Sequence, residues 1–294
     1  MVMYGIKIKS DILFPFHTPE DISFKNIIKL SKHKNTSIEI QITSGLKLYE
    51  SHGRNVYLYS DREVNCAVID QPWCYEVENI VKFYWVGGES IIYYELDEKA
   101  DTYLLGFWFM HLLLPLYMTF EKMYDFLHAG AVEVEEKPIL FIAPSMGGKS
   151  TLTDYFLQQG HSLVSDDKVA TYIDDGNFMA MGSFPYHRPY RRFEDLGYYA
   201  QNFMQESKPI YAMYELCRST SDALVSIEEI YGYEKFDTLL PNYLYIFPWL
   251  KKERFTYLSK MLNSVKVFRV TVPWNMERLD EVYEAICTHT NYLT

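Results

Sequence analysis

The sequence predicts an α/β protein in which a phosphate-binding catalytic core follows a mostly antiparallel β region. Three observations predict it. A continuous apolar run, PILFI at 138–142, passes through APSMGGKS into a stretch with helical spacing. A second short apolar run ends in the paired carboxylates Asp166 and Asp167. Before both, the first hundred residues break into short strand-like segments separated by turn residues. The domain division that follows is a β-rich region at 1–100 and the core at 101–294.

In chain order, alternating segments predict strands at 4–8, 37–42, 55–59, 76–84 and 90–96. Turn signals at 51–54 and at Gly87-Gly88 separate them. The apolar stretch 104–120 is close to membrane-spanning length. It contains His111 and Pro115 and runs straight into α/β-like sequence, so it reads as a buried core helix. Residues 126–134 lead through Glu135-Glu136, a hairpin-like connection, into the 138–142 strand, which β-branched members and short length mark as fully buried. Leu152, Tyr155 and Phe156 then keep helical spacing until Gly160, a stop residue. A strand at 161–167 follows. Strand, helix and strand make a right-handed unit with parallel strands. Ligands of open α/β sheets sit beyond the strands' carboxyl ends, so Asp166 and Asp167 should face the loop. A strand at 265–272 and a helix at 277–286 close the chain.

The chain has 294 residues, a net charge of −11 and 26 Tyr with 18 Phe. Such an acidic chain is a poor partner for nucleic acid. Cys66, Cys74, Cys217 and Cys287 are scattered without metal-ligand pairing, which suits reduced thiols rather than a disulfide scaffold. The N-terminal stretch lacks the charged, apolar and cleavage-site order of an export signal. The expectation is a cytoplasmic protein with no membrane partner; a homo-oligomer is compatible with it.

The 143–150 loop carries the phosphate-binding pattern, with Ala143 in the place of the first Gly. A chain passing from strand to helix exposes unpaired N–H groups and the positive end of the helix dipole. Gly147 and Gly148 let the backbone approach phosphate oxygens, and Ser145, Met146 and Thr151 complete the cradle. Lys149 would reach the terminal phosphates, and the Ser150 hydroxyl would complete Mg²⁺ coordination. Residue usage alone would produce this spacing in roughly 2% of chains this long, and the flanking strand and helix reduce that further. The loop is expected to bind a nucleotide such as ATP with Mg²⁺.

Beside a phosphate loop, two successive carboxylates can divide two jobs. One holds the metal and the other accepts the proton of the attacking hydroxyl. Asp166 for metal and Asp167 as base is the allocation adopted; the sequence alone equally supports the reverse. Arg188, Arg191 and Arg192 form a local cluster in an acidic chain. It is either a solvated loop balancing Glu194 and Asp195 or a fork for phosphate or carboxylate on the substrate.

LHAGAV at 127–132, the loop, and GHSLVSDD at 160–167 together resemble the catalytic core of the HPr kinase/phosphorylase family. The resemblance implies an α/β, P-loop-containing, HPr-kinase-like core. It implies that Lys149 and Ser150 bind phosphates and Mg²⁺, that Asp166 helps hold the metal, that Asp167 is the general base and that His128 lies near the transferred phosphoryl. On its own, His128 would read as a satisfied buried histidine. The Gly-rich signature of true HPr kinases is missing after Asp167, and the Arg-rich segment at 182–197 stands in its place. The opening residues at 4–15 resemble those of the short HPr-kinase-like proteins that phosphorylate lasso-peptide precursors on a C-terminal serine.

The resulting expectation is an ATP- and Mg²⁺-dependent kinase acting on a serine hydroxyl of a peptide or small protein, with Arg188 and Arg191 binding substrate. The alternatives are a kinase for a small metabolite, such as free serine or a sugar, and a nucleotide-binding regulatory protein with little catalysis.

Overall fold

In the first part of the chain, side chains alternate between buried and exposed, and the pleat turns that alternation into a sheet with one covered face. The computed structural model describes residues 1–17, 23–33, 44–51, 53–62, 70–190, 192–245 and 247–293. The strands are β1 (Val2–Met3), β2 (Ile6–Ser10), β3 (Asn26–Lys32), β4 (Ser44–Ser51), β5 (Arg54–Ser60), β6 (Pro72–Val77), β7 (Val81–Val86) and β8 (Ile91–Leu96). They form an eight-stranded sheet in the order β1-β2-β3-β8-β7-β6-β5-β4. Pairing is antiparallel except at β2–β3 and β3–β8, which are parallel. The strand expected at 37–42 lies outside the described residues.

Two expected strands are divided by turns. The 4–8 segment turns at Tyr4-Gly5, both with positive φ, so that β1 folds back on β2. The 76–84 segment splits into β6 and β7 because Asn79 takes a left-handed turn conformation (φ 60°) and Val77 pairs with Val81. Asn tolerates that conformation better than most residues.

The helix Thr102–Phe120 covers this sheet. The Asp101 side chain caps it by accepting from Leu104 N–H at 2.9 Å. Pro115, which lacks the N–H that an α-helix interior needs, lies two residues past the end of a widened π segment, Phe109–Leu113. Its rings pack onto the sheet: Phe109 on Phe83 with centroids at 6.0 Å, Tyr117 on Trp85 at 6.1 Å, and Phe120 on Trp73 at 4.9 Å. By length and apolarity the helix could cross a membrane, but 89% of its most apolar window is buried inside the protein. The helix therefore belongs with the N-terminal sheet rather than with the core that follows. Contacts divide the chain into one unit of Met1–Tyr124 with Arg192–Asp195 and Phe247–Trp249, and another of Asp125–Arg191, Leu196–Ile246 and Leu250–Thr294. The sequence put the boundary at 100; the ring contacts of the helix move it past 120.

The second unit contains β9 (Asp125–Leu127), β10 (Gly130–Val134), β11 (Lys137–Ile142), β12 (Ser162–Ser165), β13 (Val169–Asp174), β14 (Asn177–Met181), β15 (Tyr186–His187), β16 (Tyr198–Tyr199), β17 (Lys208–Pro209), β18 (Ala212–Ser219), β19 (Ser226–Glu229) and β20 (Lys266–Pro273). Its main sheet runs β12-β10-β11-β18-β20-β19, and β11, β18 and β20 are parallel neighbours. A four-stranded sheet, β17-β14-β13-β9, stands apart from it. Side chains of β11 are buried on both faces, as the continuous apolar run requires. Ile139 and Phe141 pack with Leu152 and Phe156 of the helix Lys149–Gln158 and with Val282 and Ile286 of the helix Leu279–Tyr292. Leu140 and Ile142 join Met213, Val267, Leu258 and Met261 on the other face.

The strand–helix–strand unit differs from expectation in one respect. β12 is antiparallel to β10 and β10 is antiparallel to β11, so β11 and β12 run parallel but with β10 between them. The Glu135-Glu136 hairpin, with both φ positive, places β10 in that position. Both strands still end on the same side.

Candidate functional site

After β11 the chain turns sharply and enters the helix Lys149–Gln158. Met146 (φ 61°) and Gly148 (φ 96°) take left-handed conformations, and Gly147 N–H donates to the Pro144 carbonyl at 2.9 Å. A Cβ on Gly147 would fall 2.5 Å from the Ala143 Cβ and 2.8 Å from the Pro144 oxygen. Glycine is required at 147 by that contact, and position 143 needs only to be small. No side chain caps the helix, and its first turn has no acidic residue. The first N–H groups are thus left for an anion. Lys149 is buried, and its ammonium donates to the Ala143 carbonyl at 2.6 Å and to Pro144 at 3.3 Å. Ser145 and Met146 are exposed, while Ser150 and Thr151 are half-buried on the first helical turn.

β10 brings the carboxylates beside this helix. Ala131 pairs with Ser165, so Asp166 and Asp167 leave β12 next to residues 128–130. Gly130 lies under the helix: a Cβ there would meet Thr153 Oγ1 at 2.4 Å, with the Lys149 carbonyl at 3.6 Å. The His128 backbone is anchored by its amide N–H to the Asn242 carbonyl at 2.6 Å. Its Nδ1 lies 3.3 Å from Asp167 Oδ1, and the Lys168 ammonium donates to Asp167 Oδ2 at 3.5 Å. Asp167 is held by both oxygens and remains about one-fifth exposed.

Asp166 sits in a different environment. It is buried, Oδ2 accepts the Arg188 N–H at 2.6 Å, and Oδ1 has no hydrogen-bond partner. Burial pushes its pKa up; the Arg188 N–H and the nearby cationic charge oppose this only in part. A buried, half-satisfied carboxylate is costly, and a cation would satisfy it. Among the described residues no three His, Cys, Asp or Glu side chains cluster as metal ligands. Mg²⁺ on a nucleotide needs only one or two carboxylates, because phosphates and water complete its shell. Asp166 and Ser150 fit that smaller demand.

Arg188 is buried rather than solvated. It follows β15, which pairs with β16, and Gly197 (φ 84°) closes that loop so tightly that a Cβ would lie 2.1 Å from the His187 carbonyl. Glu194 pairs with Arg54 at 2.8 Å and accepts from the Trp108 indole at 2.8 Å. Arg191 lies outside the described residues. Arg192 is exposed.

Four contributors escaped the sequence reading. Lys168 holds Asp167, and its place directly after the Asp pair was the available signal. Asn242 anchors His128 through a backbone carbonyl, for which residue identity gives no signal. Asp154, on the loop helix, lies 3.5 Å from His187 Nδ1, and burial lowers the pKa of that imidazole despite its acidic neighbours. This pair links the loop helix to the segment whose N–H binds Asp166.

No family model matches the sequence, and no curated protein matches it. Among solved structures the chain is similar to the Hpr(Ser) kinase/phosphatase from Coxiella burnetii, with 10% identity and a TM-score of 0.34, over 56% of this chain and 95% of that chain.

Proposed function

We propose that the chain is a phosphotransferase that moves the terminal phosphoryl group of ATP to a serine hydroxyl of a peptide or small protein. The observation that carries the reading is the site of Asp167, held by His128 and Lys168 beside an uncapped helix start bearing Gly147, Gly148 and Lys149. A pure nucleotide binder has no need of that second carboxylate.

Each residue has a separate task. The loop N–H groups and Lys149 hold the phosphates, the ammonium exchanging its loop carbonyls for phosphate oxygens. Ser150 and Asp166 would hold Mg²⁺, which supplies positive charge against the phosphoryl oxygens. Asp167 accepts the proton of the acceptor hydroxyl, and its two contacts fix the direction in which its oxygens point. His128 and Lys168 are positioning residues in this scheme. Arg188, close enough to Asp166 to influence its charge, supplies fixed positive potential on the acceptor side.

The test is intact-mass measurement of a peptide panel after incubation with ATP and Mg²⁺. The panel holds serine at the C-terminus, serine internally, and free serine. One added phosphate on a peptide is the expected result. Transfer to free serine alone would replace the peptide acceptor with a metabolite. ATP binding without any transfer would overturn the catalytic reading in favour of a regulatory binder.

A further inference from the structure

The loop accounts for phosphates and leaves unexplained what lies against it. A cleft of about 140 Å³ opens beside the loop, walled by Gly147, Gly148 and Thr151 on one side and by Val272, Trp274 and Met276 on the other. It sits toward the carboxyl ends of β18, the parallel neighbour of the strand that feeds the loop, and of β20 beyond it. Its lining is mainly apolar, yet Trp274 is 53% exposed and Met276 69% exposed.

Trp274 is exposed but held in place. Its backbone N–H donates to the Ser219 carbonyl at 3.3 Å, and the Asn275 side chain caps the next turn by accepting from the Glu277 backbone N–H at 3.0 Å. The Arg218 guanidinium lies over the indole, 3.5 Å from the ring centroid. The indole edge is 3.8 Å from where a Cβ on Gly148 would be. One ring face is thus backed by a cation, within one van der Waals contact of the phosphate loop.

We infer that the phosphoryl donor is a base-bearing nucleotide rather than pyrophosphate or polyphosphate, and that Trp274, backed by Arg218, is the platform on which its base stacks. The inference rests on the phosphate-loop reading and extends it. Phosphates fixed at the helix start and tethered through a ribose bring the base to the adjoining wall, where a flat apolar ring covers the exposed indole. Polyphosphate would leave that apolar wall in water. Stacking on an aromatic side chain tolerates any base, so the platform selects nucleotides as a class.

The test is calorimetric titration of the whole chain with Mg²⁺-ATP, Mg²⁺-GTP and Mg²⁺-tripolyphosphate. Wild type should bind both nucleotides about tenfold or more tightly than tripolyphosphate. Trp274→Ala should abolish that advantage and leave tripolyphosphate affinity unchanged; Trp274→Phe should keep most of it. Lys149→Ala should weaken all three ligands. Equal wild-type affinity for nucleotide and tripolyphosphate, or an undiminished nucleotide advantage in Trp274→Ala, would overturn the platform and leave the loop reading standing. Wild type binding none of the three would overturn the loop reading, and the platform with it.

Discussion

The two units bury different kinds of polar side chain. Among the described residues, the polar side chains buried in the first are those of Ser60, Gln71, His111 and Thr119, inside an aromatic core. Arg54 and the Trp108 indole converge on Glu194, Tyr49 meets Tyr75 at 2.9 Å, and Gln71 donates to Ser60 at 2.6 Å. In the second, the charged side chains of Lys149, Asp166, Arg188 and Arg254 are buried. Asp166 has one oxygen unclaimed, Lys149 donates to loop carbonyls, and Met146 holds a left-handed turn. Burying a charge costs hydration, and a ligand that meets that charge can restore part of the cost. The candidate site lies in the second unit, among its buried charges.

The largest effect should come from separating chemistry from stability at Asp167. Asp167→Asn keeps the shape but removes the proton acceptor, so transfer should fall by about 10²–10⁴-fold, the usual contribution of a general base. Because the side chain is partly exposed, the unfolding midpoint should hardly move, and ATP affinity should stay within a few-fold of wild type. Single-turnover transfer with a parallel binding titration measures both. Normal transfer by this variant would return the residue to a structural role and erase the contrast between the units.

The reverse separation is available at Phe109. This residue is fully buried in the helix Thr102–Phe120 and joins Phe14 and Phe83. Phe109→Ala should cost about 3–5 kcal/mol of stability, the range for emptying a buried aromatic site. The comparison predicts that whatever fraction remains folded binds ATP as wild type does. Urea unfolding followed beside nucleotide binding tests it. A collapse of nucleotide affinity in the folded fraction would show that the first unit does more than support.

Legibility along the sequence follows the range of the forces involved. The strand, turn and helix around Lys149 lie within some twenty residues, and apolar run, glycines and spacing all act locally, so the expected and observed elements nearly coincide. Asp166 and Asp167 were placeable because crossover geometry constrains where a second strand can end. The insertion of β10 between β11 and β12 was not, since it depends on Ala131 pairing with Ser165 across the sheet. The split of the 76–84 segment rests on one backbone angle at Asn79, which periodicity does not report. Trp274 and Arg218 meet the loop only after β18 and β20 align beside β11. No local pattern signals such a meeting.

The smallest predicted effect tests whether the second unit's burden extends beyond its loop. Asp125, on β9, is partly buried, and loss of hydration pushes its pKa from 3.8 to about 6; Arg254 opposes the shift only in part. The folded state therefore binds this proton more tightly than the unfolded chain does. Near pH 3, below both pKa values, the carboxyl is largely neutral in both states and costs little. As pH rises from about 4 to 6 the folded state must ionise a poorly hydrated group, and stability falls. Tyr257, whose pKa is raised mainly by its own burial and also by the Asp125 charge, and Arg254, lowered to about 10, face the same site but titrate well above this window. Asp125→Asn should thus leave stability near pH 3 little changed and raise it at pH 7 by about 1–2 kcal/mol, after allowance for partial exposure. Urea midpoints across that pH range would show the two curves separating as pH rises. Parallel curves would mean that water reaches Asp125 in the folded state, which would confine the stability deficit of the second unit to the neighbourhood of its loop and carboxylates.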